Sequence, residues 1–286
     1  MKKIRFVIDS TFGVSDEYRE KHGIIVNPLS VIVDGQAYLD DIEIKLSKVM
    51  DAVEAGKKVT TSQPNPNTYR QIFDQLFLEG AEQIICLTLS STFSGTIQSA
   101  SFAKNEHQRS HDIYVHDTNT THIGAILLLE TAVEAALKGK NADEIIKIIE
   151  ANKVGSGILL SLKSLDVLFK AGRLSKLKTI IGNLLHVKPV VRYYNTKIEV
   201  IKKVRTDQKV YDFFIQYIKQ LRFPGTLRMR ISHIKAIDRA NVLLELVKTN
   251  FPGVNVSIGQ ELNPVLAIHI SNGGIGLAWM FEKAYE

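Results

Sequence analysis

Short apolar runs alternate with stretches of helical period through the first half of the chain. The strand-like runs cover residues 4–8, 24–33, 83–89 and 113–115, and the helical stretches cover residues 68–78, 96–103 and 124–137. Such an alternation is typical of βαβ units, in which a helix joins each pair of parallel strands. The pattern therefore predicts an α/β fold with a mostly parallel sheet flanked by helices.

The pattern changes after Ser156 and Gly157. Two apolar runs on either side of Tyr194 and Asn195 predict an antiparallel pair of strands, and residues 207–221 repeat apolar side chains at the period of a helix. The predicted strands are 158–162, 187–193, 196–203, 228–234, 254–258 and 265–270, and the predicted helices are 144–151, 164–170, 207–221, 236–249 and 275–284.

These two patterns divide the chain near residue 155. We predict an N-terminal α/β domain over residues 1–155 and a C-terminal α/β domain over residues 156–286, the second one built on a mixed sheet. The cleft between the two domains is the predicted ligand site.

The composition is that of a folded protein. Of the 286 residues, 45% are hydrophobic and 23% are charged, and the single cysteine, Cys86, excludes an internal disulfide. No apolar stretch reaches the roughly 20 residues of a membrane-spanning helix. Asp9 ends the first run before it attains the length of a signal peptide's apolar region. We therefore predict a cytoplasmic protein without a transmembrane segment, which leaves room for transient contact with a membrane.

The excess of positive charge is regional. The formal net charge is +6, and residues 163–209 contain twelve Lys or Arg residues against three acidic ones. Such a stretch suits a phosphate, an acidic partner or nucleic acid, and it is equally typical of a solvated surface. Tyr193 and Tyr194 are adjacent there, and neither a helix-turn-helix nor a zinc-ligand spacing accompanies them, so we do not expect nucleic acid to bind.

Polar turns follow several predicted strands, and open α/β sheets bind ligands beyond the carboxyl ends of their strands. The first strand ends in Asp9-Ser10-Thr11, whose carboxylate and hydroxyls can brace nearby loop amides. A second turn, residues 60–66, places hydroxyls next to two prolines before a helix. Each turn alone is also consistent with a simple helix cap.

The strongest local signal is the turn at residues 90–96, which lies between a strand and a helix and is rich in Ser and Thr. Free amides at a helix N-terminus, together with Gly95 and the flanking hydroxyls, form a receptor for one carboxylate or phosphate. The turn lacks the lysine of a nucleotide-binding P-loop and the Gly-x-Ser-x-Gly of a hydrolase elbow. Covalent catalysis by Ser94 is therefore not expected.

His269 precedes a glycine-rich turn, and we predict it at the end of a strand where it donates to a ligand. A buried structural histidine is the alternative. Among the scattered histidines, His107 and His111 are the one pair with the spacing of two zinc ligands on a helix. Their segment resembles a helix end and not a helix interior, so no metal site is predicted. Arg173 follows a glycine in the second half of the chain, from where it can meet the same anion or orient a partner.

In their order along the chain, these turns resemble the motifs of the DegV family, bacterial proteins that bind long-chain fatty acids. The resemblance covers residues 4–283 and departs at residues 269–274, where the family usually has His-x-Gly-Pro-Gly and this chain lacks the proline. The matching segments are Asp9-Ser10-Thr11, Pro28-Leu29, Thr61-Ser62-Gln63-Pro64, Ser94-Gly95-Thr96, Gly172-Arg173-Leu174-Ser175, Lys188-Pro189, Arg205-Thr206 and His269 with its glycine turn.

The resemblance implies a two-domain protein that buries an acyl chain, such as that of palmitate or oleate, and holds the carboxylate between its domains. The carboxylate site that it implies consists of Thr61, Ser62, Ser94, Gly95 and His269. It further implies that the chain is the binding subunit of a fatty acid kinase system. A separate ATP-using subunit would make the acyl-phosphate for phospholipid synthesis, and Arg173 matches a position linked to engagement of that kinase.

Two functional classes stay open at this point. The preferred one is a binding protein that has no cofactor, no metal and no chemistry of its own. The other is a hydrolase or phosphotransferase acting on a small anionic substrate, with Ser94 as the nucleophile and His269 as the general base. The residues that line an acyl tunnel are not determined by the pattern. Phe6, Ile8, Leu29, Ile97 and Ile126 fit a tunnel wall or a core, and the core is the default interpretation.

Overall fold

The structure is a computed structural model, which describes residues 3–165, 168, 172, 187–270 and 272–285. Its strands are β1 Ile4–Asp9, β2 Ile25–Asn27, β3 Ser30–Val33, β4 Gln36–Leu39, β5 Val59–Ser62, β6 Gln83–Thr88, β7 Ile113–Asp117, β8 Ser156–Ser161, β9 Lys188–Tyr194, β10 Lys197–Val204, β11 Thr226–His233, β12 Asn255–Ile258 and β13 Ile275–Glu282. The predicted α/β class is confirmed.

The helices of the described residues begin and end as follows. They are α1 Asp16–His22, α2 Leu46–Glu54, α3 Pro66–Leu78, α4 Thr96–Asn105, α5 His122–Leu137, α6 Ala142–Lys153, α7 Asp207–Gln220, α8 Ile237–Asn250 and α9 Pro264–Ile270, with short 3₁₀ helices at Ser10–Phe12 and Ser110–Asp112. Asn141 caps α6, and its capping box is completed by the side chain of Glu144. The predicted helix at 164–170 lies largely outside the described residues.

The first half forms the predicted parallel sheet, with strand order β2-β1-β6-β7. Every residue of β6 is buried because helices cover both faces of this sheet. The turns that follow β1, β6 and β7 therefore meet at the carboxyl edge of the sheet, where the sequence places its polar signals.

The second half forms a six-stranded mixed sheet with the order β10-β9-β8-β13-β11-β12. The predicted helix at 275–284 is wrong, because this segment is the strand β13, paired antiparallel with both β8 and β11. Its residues from Ile275 to Met280 are all buried. A run that is apolar on both faces has no alternation to distinguish a strand from a helix.

The predicted strand at 265–270 is also wrong, because the segment is the helix α9. Pro264 occupies the first position of this helix, where its fixed φ favours a helical start and its missing N–H removes no hydrogen bond. His269 consequently lies on a helix and not at a strand end.

A third sheet, β4-β3-β5, is antiparallel and was not predicted as a separate sheet. It packs against α2 and α9 through a small apolar cluster. The buried members of this cluster are Leu29, Val31, Ile44, Val49, Val265 and Ile268. The cluster brings the start of the chain against the helix that carries His269.

Helix α5 lies between the parallel sheet and the mixed sheet. It is apolar almost all round, as a helix buried between two layers must be. The largest core cluster joins Leu127 of this helix to Ile8 of the first sheet and to Ile158 and Met280 of the second. Among the described residues, no helix is long and apolar enough to cross a membrane.

Candidate functional site

A cavity of about 490 Å³ lies where β5, the turn before α4, helix α9 and strands β8–β10 approach one another. The polar residues of its wall are Thr61, Ser62, Gln63, Ser94, Thr121 and His269. The apolar residues include Phe93, Ile158, Leu160, Val191, Tyr193 and Ile198. The cavity thus combines hydrogen-bonding side chains with a largely apolar wall.

The structure brings all five residues of the predicted carboxylate site to this one cavity. Thr61 and Ser62 end β5, Ser94 and Gly95 form the turn between β6 and α4, and His269 comes from α9. Their arrangement is a finding, whereas their binding of a carboxylate stays a prediction. Arg173 lies outside the described residues.

The turn before α4 presents hydroxyl and amide groups together. Ser94 Oγ lies 2.9 Å from Thr96 Oγ1, and Gly95 is the N-cap of α4 without a side-chain cap. The first amides of the helix therefore keep their partial positive charge free of a side-chain acceptor. An anion placed at this turn meets hydroxyls and a helix N-terminus, and both are neutral donors.

Gly95 is required for a close contact between this turn and β5. A Cβ atom at residue 95 would lie 2.0 Å from Oε1 of Gln63, and the amide of Gln63 donates to Ser99 Oγ over 2.8 Å. The absence of a side chain at Gly95 thus lets Gln63 pass to α4. This contact holds the Thr61–Ser62 arm beside Ser94.

Asp9 fixes the base of the same turn. Its carboxylate accepts from the Leu89 amide over 2.7 Å and from the amide and hydroxyl of Thr11 over 3.0 and 2.5 Å. Asp9 is fully buried, and this burial raises the pKa of its carboxyl to about 6. The predicted bracing role of Asp9-Ser10-Thr11 therefore joins β1 to the residues just before Ser94.

Thr121 is a polar group of the cavity that the sequence did not single out. It is the N-cap of α5 but makes no side-chain cap bond, and its buried Oγ1 has no hydrogen-bond partner among the described residues. The available signal was its position just beyond β7, at the same carboxyl edge of the sheet as Ser94.

The apolar side of the cavity comes from alternate residues of the mixed sheet. Ile158 and Leu160 line the cavity, whereas Leu159 between them packs in the core on the other face of the sheet. Tyr193 contacts the ring of Phe93 at a centroid distance of 4.7 Å and donates its hydroxyl to Ser90 Oγ over 2.7 Å. The apolar wall is therefore attached to the turn that carries Ser94.

Of the five residues that fit either a tunnel wall or the core, Leu29 lines the cavity, and Phe6 and Ile8 belong to the main core cluster. Ile97 and Ile126 are not among the described residues that line the cavity.

A second cavity, of about 630 Å³, borders the acidic residues Asp16, Asp40, Asp41 and Glu261 and the basic residues Arg19 and Lys45. Acidic groups outnumber basic ones in this wall and its lining is less apolar, so the smaller cavity is the candidate site for an anion with an apolar tail.

The wall chemistry selects an amphipathic ligand with an anionic or polar head. No Lys, Arg, Asp or Glu occurs among the described residues that line the cavity. Within the described part of the chain, no group of three or more His, Cys, Asp or Glu side chains is placed to hold a metal ion. The hydroxyl of Ser94 contacts another hydroxyl, that of Thr96, which is not a general base.

Comparison with known proteins decides the family. The model of the family described as "Uncharacterised protein, DegV family" matches residues 3–282. The chain belongs to the DegV family. The family resemblance of the eight motifs is thereby confirmed.

Relatives of the chain match it along its whole length. A DegV domain-containing protein of Halalkalibacterium halodurans is 28% identical over 285 residues, covering 99% of this chain and 100% of the relative. A solved structure described as fatty acid binding of a DegV family protein from Thermus thermophilus has a TM-score of 0.90 at 25% identity, covering 97% of this chain and 99% of the other.

Another similar structure is named by its ligand. It is a stearic acid-binding protein from Eubacterium ventriosum, with a TM-score of 0.85, 25% identity and coverage of 99% of both chains. Solved members of the DegV family therefore bind fatty acids.

The raised pKa of Asp9 predicts a pH-dependent effect of Asp9→Asn. The carboxyl titrates near pH 6 in the fold and at the ordinary value of 3.8 when unfolded, so its contribution to stability is fully present below about pH 4 and is lost as the pH rises through 6. Urea unfolding should show the wild type gaining about 2 kcal/mol over the variant between pH 7 and pH 4.5.

Asp51→Asn is the control variant, because Asp51 is exposed and its substitution removes a carboxylate without changing a buried group. A free-energy difference between wild type and Asp9→Asn that is constant over this pH range contradicts the burial of the ionised Asp9 carboxylate.

Proposed function

We propose that this protein binds one long-chain fatty acid, such as palmitate or oleate, with the acyl chain against the apolar wall and the carboxylate at Thr61, Ser62, Ser94, Gly95 and His269. The observation that carries the proposal is the meeting of these five residues, which come from three distant parts of the chain, in one cavity whose remaining wall is apolar.

The acyl chain accounts for most of the driving force. Burial of about 14 methylenes contributes on the order of 11 kcal/mol before other terms are counted. The loss of free motion of the ligand and the ordering of its chain offset part of this. Affinity should therefore rise with chain length until the apolar wall is filled.

The carboxylate has the opposite requirement. Its burial without a partner costs several kcal/mol, so donors must replace the water that it loses. Hydroxyls of Thr61, Ser62 and Ser94 and the amides at the start of α4 are suitable donors. Because none of them is a cation, the carboxylate is held without a strong ion pair that would oppose its release.

We further propose that the chain presents this carboxylate to a separate ATP-using kinase subunit, which makes an acyl-phosphate for phospholipid synthesis. Ser62 and Gln63 are exposed although they line the cavity, so the polar side of the site reaches the protein surface. A partner could then reach the carboxylate while the acyl chain stays covered. In this proposal the protein acts in the cytoplasm, as two domains over residues 1–155 and 156–286.

The fatty acids bound by solved DegV proteins support this function over a hydrolase or phosphotransferase. The cavity wall supports it as well, because a small anionic substrate needs no apolar surface formed by Ile158, Leu160 and Ile198. In the rival mechanism Ser94 is the nucleophile and needs a general base, but the group that it contacts is the hydroxyl of Thr96, which is not a base.

The direct test is native mass spectrometry of protein purified from bacteria, followed by titration with palmitate and oleate. We expect a co-purified fatty acid and tighter binding of long chains than of octanoate, because each buried methylene adds about 0.8 kcal/mol. Protein that is free of lipid and binds neither palmitate nor oleate contradicts the proposal. Ester or acyl-phosphate turnover that Ser94→Ala abolishes would instead support the enzyme.

The Ser94 hydroxyl has its own test. Ser94→Ala should weaken fatty acid binding by about tenfold to a hundredfold, since a hydrogen bond to a charged group contributes about 1.5 to 3 kcal/mol. Ser91→Ala is the matched control, because Ser91 is exposed in the same turn and does not line the cavity. Equal affinities of the Ser94 and Ser91 variants remove Ser94 from the carboxylate site.

The kinase step is tested at Arg173. Arg173→Ala should slow phosphorylation of the bound fatty acid by the partner kinase more than it weakens fatty acid binding, because the family position is linked to kinase engagement. Initial rates with saturating fatty acid measure the first effect and equilibrium titration measures the second. Unchanged phosphorylation rates show that Arg173 does not act in the transfer.

A further inference from the structure

Helix α9 contributes four residues to the cavity, namely Val265, Leu266, His269 and Ile270. The start of this helix is held by a residue far away in the chain. The Val265 amide donates to Oδ1 of Asp40 over 3.0 Å, across a sequence separation of 225 residues. Asp40 follows β4 at the edge of the small sheet. An acceptor from the first part of the chain therefore satisfies an amide that the helix itself leaves unpaired.

The other oxygen of Asp40 extends this contact into a hub. Oδ2 accepts from Ser10 Oγ over 2.6 Å and from the side-chain amide of Asn263, and the same amide donates to the Ser10 carbonyl over 2.9 Å. Ser10 Oγ in turn accepts from the Leu29 amide over 3.1 Å. The end of β1, the segment before β3 and the start of α9 thus converge on one carboxylate.

Asp40 is only 1% exposed, although the hub residues Ser10, Asp40 and Asn263 border the larger cavity of about 630 Å³. Burial raises the pKa of its carboxyl to about 6, because the charged form loses most of its stabilisation by water. The three donors that face it compensate for the lost hydration. An amide in place of the carboxylate would direct an NH₂ group at donors, and at least one of the three contacts would be lost.

The hub lies behind the proposed carboxylate site rather than in it. Asp9 holds the turn that carries Ser94, and Asp40 holds the helix that carries His269. Asp40 does not line the fatty acid cavity among the described residues, whereas Leu29 and Val265, which are attached to the hub through their amides, do. A shift of α9 would therefore change the separation of His269 from Ser94 without touching either side chain.

We propose that Asp40 is a positioning residue, which fixes the start of α9 and thereby places His269 opposite the hydroxyl arm of the carboxylate site. This inference rests on the proposed function, because the group to be positioned is a donor to the fatty acid head. It predicts a selective defect, in which recognition of the head group suffers and recognition of the acyl chain does not.

The experiment compares wild type, Asp40→Asn and Val247→Ala with two ligands, oleate and oleyl alcohol. Val247 is fully buried on α8 in the core cluster on the other face of the mixed sheet, so its variant perturbs the fold away from the cavity. We expect Asp40→Asn to weaken oleate binding about tenfold and oleyl alcohol binding less than about twofold. Val247→Ala should leave the ratio of the two affinities unchanged.

A ligand-free measurement accompanies the titrations. Amide hydrogen exchange of residues 265–270 should be at least about tenfold faster in Asp40→Asn than in wild type, with α4 and α5 unaffected. Val247→Ala should instead accelerate exchange in α8. Equal losses of oleate and oleyl alcohol affinity in Asp40→Asn, or unchanged exchange in α9, overturn the proposal.

Failure of the proposed function gives a different result. A wild type that binds neither lipid removes fatty acid binding from the account and, with it, the role of Asp40 in placing a head-group donor. The exchange measurement then still decides whether Asp40 fixes α9.

Discussion

A carboxylate that leaves water must be met by hydrogen-bond donors, and the tail attached to it must at the same time leave water for an apolar surface. The cavity of this protein satisfies both conditions because a polar patch and an apolar wall share one space. The other contacts of the site hold the polar residues and the apolar wall next to each other. The donors are neutral, so their positions, rather than a strong charge, determine how well they hold the head.

Positions of that kind need support, and buried polar contacts supply it. Gln63 passes over Gly95 to join the Thr61–Ser62 arm to α4, and Tyr193 joins the apolar wall to Ser90. Asp9 and Asp40 hold the two remaining elements from behind. Each contact links segments that are far apart in the chain, so the site forms only when both halves have folded around α5.

The site residues that could be predicted from the sequence are those in turns with a recognisable local composition. Ser94 was recognised because hydroxyls and a glycine lie directly between a strand and a helix, whereas Ser62 was assigned to the site through the family resemblance of its turn. Thr121 was missed although it lies between β7 and α5, and Asp40 carries no such local signal because its significance depends on a partner more than two hundred residues away. Strand β13 was mistaken for a helix because both of its faces are buried. Helix α9 was mistaken for a strand because its seven residues are apolar except for His269 and fit either period.

The most direct measurement is a crystal structure of the protein as purified from bacteria, with the bound lipid extracted from the same crystals and identified by mass. We expect a continuous tubular feature in the electron density that begins beside Ser94 and Thr61 and runs along Ile158, Leu160 and Ile198. A lipid that lies elsewhere, or a carboxylate paired with a cation instead of the hydroxyls and amides, would contradict fatty acid binding at this site.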